Sequence, residues 1–114
     1  MEAECLFCRV VSGEVPGDVV YENDEAMAFR DVNPQAPTHV LVVPKEHYAN
    51  LAELAGSAPE ALTAVARAAG EVAARESLDG NYRVVFNTGA GAGQSVFHCH
   101  AHVLGGRSLG WPPG

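Results

Sequence analysis

Three of the five histidines in this chain stand at alternate positions of one short run, "QSVFHCHAHV", which covers residues 94–103. They are His98, His100 and His102. An imidazole changes its charge near pH 7 and can act as a nucleophile, a proton donor or a hydrogen-bond donor to phosphate. A lone histidine is more often a satisfied or exposed side chain, but three in register favour acid–base or covalent chemistry on a phosphate.

The residues around the histidines predict a strand over "VFHCHAHVL". Side chains alternate along a strand, so the histidines would share one face, and that face must meet solvent, a ligand or a cleft. The other face would pack against the core; it carries Phe97, Cys99, Ala101 and Val103. The Cα atoms of His98 and His102 would lie roughly 13 Å apart at about 3.3 Å per residue. Zinc holds its nitrogens at about 2.0–2.1 Å, so a three-histidine zinc site on this strand is disfavoured.

A glycine-rich segment, "TGAGAGQS", precedes the histidines at residues 88–95. It connects two predicted strands, so it lacks the strand–loop–helix setting of a P-loop or dinucleotide-binding fingerprint. The segment is either a flexible connection or a loop whose backbone N–H groups approach an anion closely, as glycine permits. Its position directly before the histidines favours the second interpretation.

Cys5 and Cys8 form a C-x-x-C motif near the N-terminus. Three interpretations are open from the residues alone: a redox pair, two small buried residues, or half of a metal site.

The remaining pattern predicts an α+β fold. Strands are predicted at Val19–Glu22, Ala26–Val32, Thr38–Pro44 and Tyr82–Asn87, because these runs are apolar or β-branched and are bounded by turn residues. Ser57 and Glu60 have the spacing of a capping box and predict the start of a helix that continues to about Ala74. Its apolar stripe would contain Leu62, Val65, Ala66, Ala69, Val72 and Ala73.

Length and composition predict one soluble domain over residues 1–114. Hydrophobic residues make up 47% and charged residues 18% of the chain. The formal net charge of −7 argues against a nucleic acid polymer or an anionic membrane as a partner. The sequence carries neither a membrane-spanning apolar run nor a signal-peptide pattern, so we expect a cytoplasmic location.

Three segments resemble the histidine triad (HIT) family, and in particular its HINT-like branch, the nucleoside phosphoramidate hydrolases. The segments are "FRDVNPQAPTHVLVVPKEH", "GQSVFHCHAHVLGGR" and the terminal "WPPG". The resemblance implies an antiparallel sheet of about five strands with a main helix packed on it. It also implies a homodimer and a purine nucleoside phosphate or phosphoramidate as ligand.

The resemblance also implies roles for individual residues of the reaction. His100 would be the nucleophile that attacks the α-phosphorus and forms a nucleotidyl-histidine. Ser95 and His102 would stand beside the leaving group, and His39 would orient rather than attack. The phosphate oxygens would be held by five residues: Asn87, Gly93, Ser95, His100 and His102.

The nucleoside and a metal are assigned by the same resemblance. Asp31 would accept hydrogen bonds from the ribose hydroxyls, with Val32 beside it. The base would lie among Leu6, Phe7, Val10 and Phe29. Zinc-containing relatives imply a structural zinc held by Cys5, Cys8, His47 and His98, with no metal needed for the chemical step. One departure is Ala92, which stands where close relatives often have glycine and therefore requires a negative φ.

Two alternatives to a phosphoramidate hydrolase remain open. One is a dinucleoside polyphosphate hydrolase of a neighbouring branch. The other is a nucleotide-binding interaction protein with weak catalysis, against which the complete triad argues. The residues assign no role to the segment Trp111–Gly114.

Overall fold

Five antiparallel strands form one sheet in the computed structural model, which describes residues 4–114. The strands are β1 (Val19–Glu22), β2 (Ala26–Arg30), β3 (Thr38–Pro44), β4 (Tyr82–Phe86) and β5 (Ala101–Gly105). Their order across the sheet is β1-β2-β3-β5-β4, so β3 is central and β1 and β4 form the edges. The predicted α+β class and the expected number of strands are confirmed.

Three α-helices accompany the sheet: α1 (Leu6–Ser12), α2 (Leu51–Ser57) and α3 (Pro59–Arg75). The long helix α3 is the predicted main helix, and α1 and α2 were not predicted. Its buried side includes Val65, Ala69, Val72 and Ala73 as expected, but Ala66 is exposed and Ala68 is buried instead. No helix within residues 4–114 is both long enough and apolar enough to cross a membrane.

The predicted capping box of α3 is wrong. Ser57 is the last residue of α2, and the residue that caps α3 is Ala58, which makes no side-chain hydrogen bond to it. Pro59 occupies the first turn instead, where its fixed φ suits the helix and its missing N–H would have had no partner. The preceding helix α2 does have a side-chain N-cap, because Asn50 accepts from the backbone N–H of Glu53 at 2.9 Å.

Both faces of the central strand β3 are buried, in two separate apolar clusters. Val40 and Val42 pack in the larger cluster, which lies between the sheet and the helices α2 and α3. Leu41 and Val43 pack in the smaller cluster on the opposite face, beneath α1. A strand buried on both faces must be continuously apolar, which explains the run "VLVV". The candidate catalytic residues lie on the α1 side of the sheet.

The histidine strand is shorter than predicted, because β5 begins only at Ala101. Residues 96–100 have an irregular backbone, and the N–H of Cys99 donates to the carbonyl oxygen of Tyr48 at 2.6 Å rather than to a neighbouring strand. The predicted alternation holds for Cys99, Ala101 and Val103, which are buried in the larger cluster. The prediction for Phe97 was wrong: its side chain is 53% exposed, because the strand has not yet begun there.

Candidate active site

A cleft with a volume of about 800 Å³ lies between α1, the end of β2 and the histidine segment. Ten of the residues singled out from the sequence line it: Leu6, Phe7, Val10, Phe29, Asp31, Val32, Gly93, Ser95, His100 and His102. One end of the cleft is apolar and the other carries histidines and a serine. The tertiary structure therefore brings the predicted base-binding residues and all the predicted phosphate-binding residues except Asn87 into one cavity.

The ring of His100 is held with one nitrogen directed toward the backbone. Its Nδ1 lies 2.8 Å from the carbonyl oxygen of His98, and a carbonyl oxygen can only accept, so Nδ1 carries the proton. The other nitrogen, Nε2, keeps its lone pair. The ring edge also contacts Phe7, with centroids 5.0 Å apart at 87°. Burial lowers the pKa of His100, so the ring is neutral and nucleophilic at pH 7.

A second chain of hydrogen bonds sets the protonation of His102. The backbone N–H of Gln35 donates to Nδ1 of His39 at 3.0 Å, so the ring proton of His39 must be on Nε2. That Nε2 lies 2.9 Å from Nδ1 of His102 and donates to it. The remaining proton of His102 is then on its Nε2. Burial lowers the pKa of His102 to about 4, so this neutral form persists at pH 7.

Register in the sheet explains why these two imidazoles meet. Leu41 pairs with His102 and His39 pairs with Leu104, so His39 and His102 are diagonal neighbours on adjacent strands. His39 is buried at 6% exposure and does not line the cleft. Its position behind His102 agrees with an orienting role.

Asp31 lies just after β2 at the rim of the cleft. One carboxylate oxygen, Oδ1, accepts from the backbone N–H of Asn33 at 2.8 Å. The other, Oδ2, lies 3.4 Å from Nε2 of His39. Val32, the next residue, is fully exposed beside it. Asp31 therefore presents a fixed acceptor next to the apolar end of the cleft.

The glycine loop is held in place by Gln94, whose role we did not predict. Its Oε1 accepts from the N–H of Gly89 at 2.9 Å, and its Nε2 donates to the carbonyl oxygen of Ala49 at 2.7 Å. Gly89 and Gly93 take the positive φ values in this loop, and Ala92 lies in a short 3-10 turn outside that region, as expected. The sequence feature that could have indicated this role is a glutamine, which both donates and accepts hydrogen bonds, within a glycine-rich segment.

Asn87 differs from the other predicted phosphate ligands. It is not among the residues that line the cleft within the described range 4–114. Its Nδ2 lies 3.7 Å from the position that a Cβ would take on Gly93, so it stands directly behind the loop. Its contact with the site is therefore through the loop in this conformation.

A cluster of two cysteines and two histidines lies beside the cleft. Nδ1 of His98 lies 3.3 Å from Sγ of Cys5 and 3.5 Å from Sγ of Cys8. Nδ1 of His47 lies 3.5 Å from Sγ of Cys8. All four donor atoms lie within 4.8 Å of one another. Cys8 and His98 are buried at 1% and 0% exposure, so the cluster is largely shielded from water.

This cluster fits a tetrahedral zinc ion. Donors at about 2.0–2.3 Å from zinc would lie roughly 3.3–3.8 Å apart, close to the separations found here. Nε2 of His98 lies 2.8 Å from the carbonyl oxygen of Pro44, so Nε2 carries the proton and Nδ1 offers its lone pair to the thiols. Two thiols and two imidazoles are a known zinc donor set.

A second group, Asp31, His39 and His102, also has its donor atoms within 4.8 Å of one another. It fits a metal poorly. A metal on Nε2 of His39 would force the ring proton onto Nδ1, where it would face the N–H of Gln35. The hydrogen bonds therefore favour an imidazole pair over a metal site here.

Comparisons with known proteins identify a family model and relatives to which the chain is similar in sequence. The model of the HIT domain family matches residues 12–109. An uncharacterised HIT-like protein of Synechococcus elongatus is 47% identical over 114 residues, covering all of both chains. A 14 kDa zinc-binding protein of Zea mays is 44% identical over 115 residues, covering 99% of this chain and 90% of that protein.

Solved structures are similar over nearly the whole chain. A HIT family hydrolase from Legionella pneumophila superposes with a TM-score of 0.92 at 46% identity, covering 97% of this chain and 100% of that one. A HIT family hydrolase from Clostridium thermocellum also has a TM-score of 0.92, at 40% identity and 96% coverage of each chain.

Proposed function

We propose that this chain, which belongs to the HIT domain family, is a hydrolase that cleaves nucleoside 5′-phosphoramidates or acyl-nucleotides at the α-phosphate. The reaction would pass through a covalent nucleotidyl-histidine on His100. The observation that carries the proposal is the hydrogen bond from Nδ1 of His100 to the carbonyl oxygen of His98, at 2.8 Å. It leaves the Nε2 lone pair available in a residue that lines the cleft.

The first step would be attack of Nε2 on the α-phosphorus. A bond forms between Nε2 and phosphorus while the bond from phosphorus to the leaving nitrogen breaks. The leaving nitrogen must take a proton, and Ser95 and His102 are side-chain donors that line the cleft. A neutral imidazole suits this role because a covalent intermediate divides one difficult displacement into two easier ones.

In the second step water would attack the same phosphorus. The bond to Nε2 breaks, its electron pair returns to His100, and the nucleoside monophosphate leaves. The proton released by water restores the group that protonated the leaving nitrogen. The net change is hydrolysis of one phosphorus–nitrogen bond by one water molecule.

The phosphate oxygens would be held by neutral donors. His102 offers its Nε2–H because His39 donates to its other nitrogen. The backbone N–H groups near Gly93 and Ser95 border the same end of the cleft. These donors stabilise the charge that builds up on phosphorus without the need for a cationic side chain. Asn87 would act after a small movement of the loop or by supporting it.

The nucleoside would occupy the apolar end of the cleft. Phe7, Val10 and Phe29 are buried there, and Leu6 covers the rim with 45% of its surface exposed. A flat purine suits such a slot because its faces are apolar and its edges remain accessible. The carboxylate of Asp31 would accept from the ribose hydroxyls. None of these side chains reads the base edge, so the base preference is expected to be weak.

Cys5, Cys8, His47 and His98 would hold a structural zinc. Bound there, zinc would crosslink the N-terminal segment to the histidine segment and to His47 in the segment after β3. The maize relative is named a zinc-binding protein, which supports this assignment.

A homodimer is proposed to form through the β4 edge of the sheet. β4 is an edge strand, and its Tyr82 and Val84 have 38% and 42% of their surfaces exposed. An unpaired strand edge with exposed apolar side chains favours pairing with a second copy. Its formation is testable by sedimentation at several protein concentrations.

The substrate assignment is tested by comparing turnover of adenosine 5′-phosphoramidate with that of a dinucleoside polyphosphate under the same conditions. We expect a higher kcat/KM for the phosphoramidate. A preference for the dinucleoside polyphosphate would assign the chain to the neighbouring activity, and binding of both without turnover would indicate an interaction protein.

A further inference from the structure

We propose that metal occupancy of the cysteine–histidine cluster positions the His100 ring, with His98 as the positioning residue that joins the two. The inference rests on the proposed function, because it assigns the cluster a part in the reaction as well as in stability. Two independent structural links carry it, one through the main chain and one through α1.

The first link is His98 itself, which is bonded on three sides. Its Nδ1 lies 3.3 Å from Sγ of Cys5, and its Nε2 donates to the carbonyl oxygen of Pro44 at 2.8 Å. Its own carbonyl oxygen accepts from Nδ1 of His100 at 2.8 Å. Fixing the ring of His98 therefore fixes the acceptor that decides which nitrogen of His100 keeps its lone pair.

The backbone around His98 makes this link important. Residues 96–100 precede β5 and lack the ladder hydrogen bonds of a strand. The carbonyl group of His98 is thus not held by a neighbouring strand. Its peptide unit is held by the bond from the N–H of Cys99 to the carbonyl oxygen of Tyr48 at 2.6 Å, and Tyr48 directly follows His47 of the cluster. The orientation of the carbonyl therefore depends on this bond and on the bonds made by the His98 side chain. Without a metal, the thiols of Cys5 and Cys8 offer only weak S–H donors to Nδ1.

The second link runs through α1, which Cys5 and Cys8 would fasten to the metal. Phe7 lies between these two cysteines in sequence. Its ring meets His98 with centroids 6.0 Å apart and His100 with centroids 5.0 Å apart, both edge to face. Release of the metal would loosen the helix that packs against both imidazoles and forms one wall of the cleft.

The test removes the metal without changing His98, His100 or α1. His47→Gln deletes the ligand on the far side of the cluster. We expect this variant to lose zinc and to lower the rate of nucleotidyl-histidine formation in a single turnover about 10- to 100-fold, the usual effect of losing a supporting contact. The dissociation constant for adenosine monophosphate should rise by a smaller factor, because His47 does not line the cleft and only the loosening of the α1 wall would weaken binding.

A spectroscopic readout separates positioning from general damage. The ring nitrogens of ¹⁵N-labelled His100 report which nitrogen carries the proton, measured well above the ordinary histidine pKa of about 6.5. The wild type with zinc should show a single form protonated at Nδ1. His47→Gln and chelated wild type should show a mixture of both forms, and adding Zn²⁺ alone to the chelated wild type should restore the single form.

Val72→Ala is the matched control for stability. Val72 is fully buried in the larger cluster on the opposite face of the sheet, so its truncation lowers stability without touching the site. It should keep zinc, the single form of His100 and the wild-type adduct rate.

The proposal is overturned if metal-free protein retains the single Nδ1-protonated form of His100 and the wild-type adduct rate. It is also overturned if Val72→Ala shows the same mixture as His47→Gln. The nitrogen signals need no substrate, so a wild type that fails to hydrolyse a phosphoramidate would count against the proposed function and leave this test intact.

Discussion

Nε2 of His39 lies 2.9 Å from Nδ1 of His102, although 63 residues separate them in the chain. The N–H of Gln35 determines the direction of this bond, since it donates to the other nitrogen of His39. A backbone group in the loop before β3 thus determines which nitrogen of His102 carries a proton into the cleft. Gln35 and His39 thus determine the tautomer of His102 although neither of them lines the cleft.

Replacing His39 should therefore affect the chemical step more than binding. We expect His39→Leu to lower kcat on the order of 10- to 100-fold with a smaller change in KM, because a misoriented donor stabilises the transition state less. His39→Gln should retain more activity, since its amide can still donate to Nδ1 of His102. Steady-state kinetics of the two variants check this, and equal losses would contradict an orienting role.

Removing the nucleophile should have a larger effect. His100→Ala should lower turnover more than about 100-fold while leaving nucleoside monophosphate binding largely intact. Mass spectrometry of quenched wild-type reactions should show a nucleotidyl adduct on His100. Turnover above about a hundredth of the wild-type rate in the variant would contradict covalent catalysis.

Zinc should be present in freshly purified protein at about one ion per chain. Cys5→Ser should lose it and melt at a lower temperature, because the unfolded chain has no preformed site and metal binding adds to stability. Cys99→Ser is the control, since Cys99 lies in the core outside the cluster and its variant should keep the metal. Elemental analysis measures the zinc content of each protein, and thermal unfolding measures its melting temperature. If the freshly purified wild type contains no zinc, the zinc assignment is wrong and the cysteines are only small core residues.

The chemical step should not require a dissociable divalent metal. In the group Asp31, His39 and His102, the hydrogen bonds of His39 place its ring proton on Nε2, which opposes a metal there, and neutral donors line the proposed phosphate site. Brief chelation should leave the initial rate nearly unchanged, whereas prolonged chelation would remove the structural zinc. A rapid loss that Mg²⁺ alone restores would exclude this mechanism.

Stability should fall in acid through the ion pair of Arg30 and Glu76. Arg30 donates to both carboxylate oxygens of Glu76 at 2.8 and 3.0 Å, and this bond lowers the pKa of Glu76 from its ordinary 4.5. Because the pKa of Glu76 is lower in the folded than in the unfolded protein, the stabilisation is complete above about pH 4.5. It is lost as the pH falls through the pKa of Glu76 in the folded protein.

Glu76→Gln should accordingly reduce the free energy of unfolding by about 1 kcal/mol at neutral pH, a modest value because the arginine is 41% exposed. The difference from wild type should vanish at the acid end of the transition. Asp18→Asn is the control: it contacts the same arginine at 3.5 Å but is 72% exposed, so its effect should be smaller. Urea unfolding across the pH range measures all three proteins.

Local patterns were sufficient for much of the fold. Strands β1 and β3 begin and end where predicted, because their alternating or continuous apolar character is bounded by turn residues and prolines. The helices α1 and α2 were missed, since seven-residue segments carry too little periodicity to distinguish them from loops. The exposure of Phe97 was also missed, because alternation alone does not show where a strand begins.

The sequence by itself predicted the candidate catalytic and metal-binding side chains that the fold brings together, through the histidine triad, the C-x-x-C motif and the resemblance of the surrounding segments to a known family. Only the tertiary structure decided which groups each imidazole contacts. His98, His100 and His102 are alike in sequence, yet one faces two thiols, one keeps a lone pair on Nε2 and one carries a proton there. The partners that create these differences include Pro44 and Gln35, which are remote in the chain. A histidine's protonated nitrogen is set by the group that its ring meets, and backbone groups of distant segments take their positions only when the chain has folded.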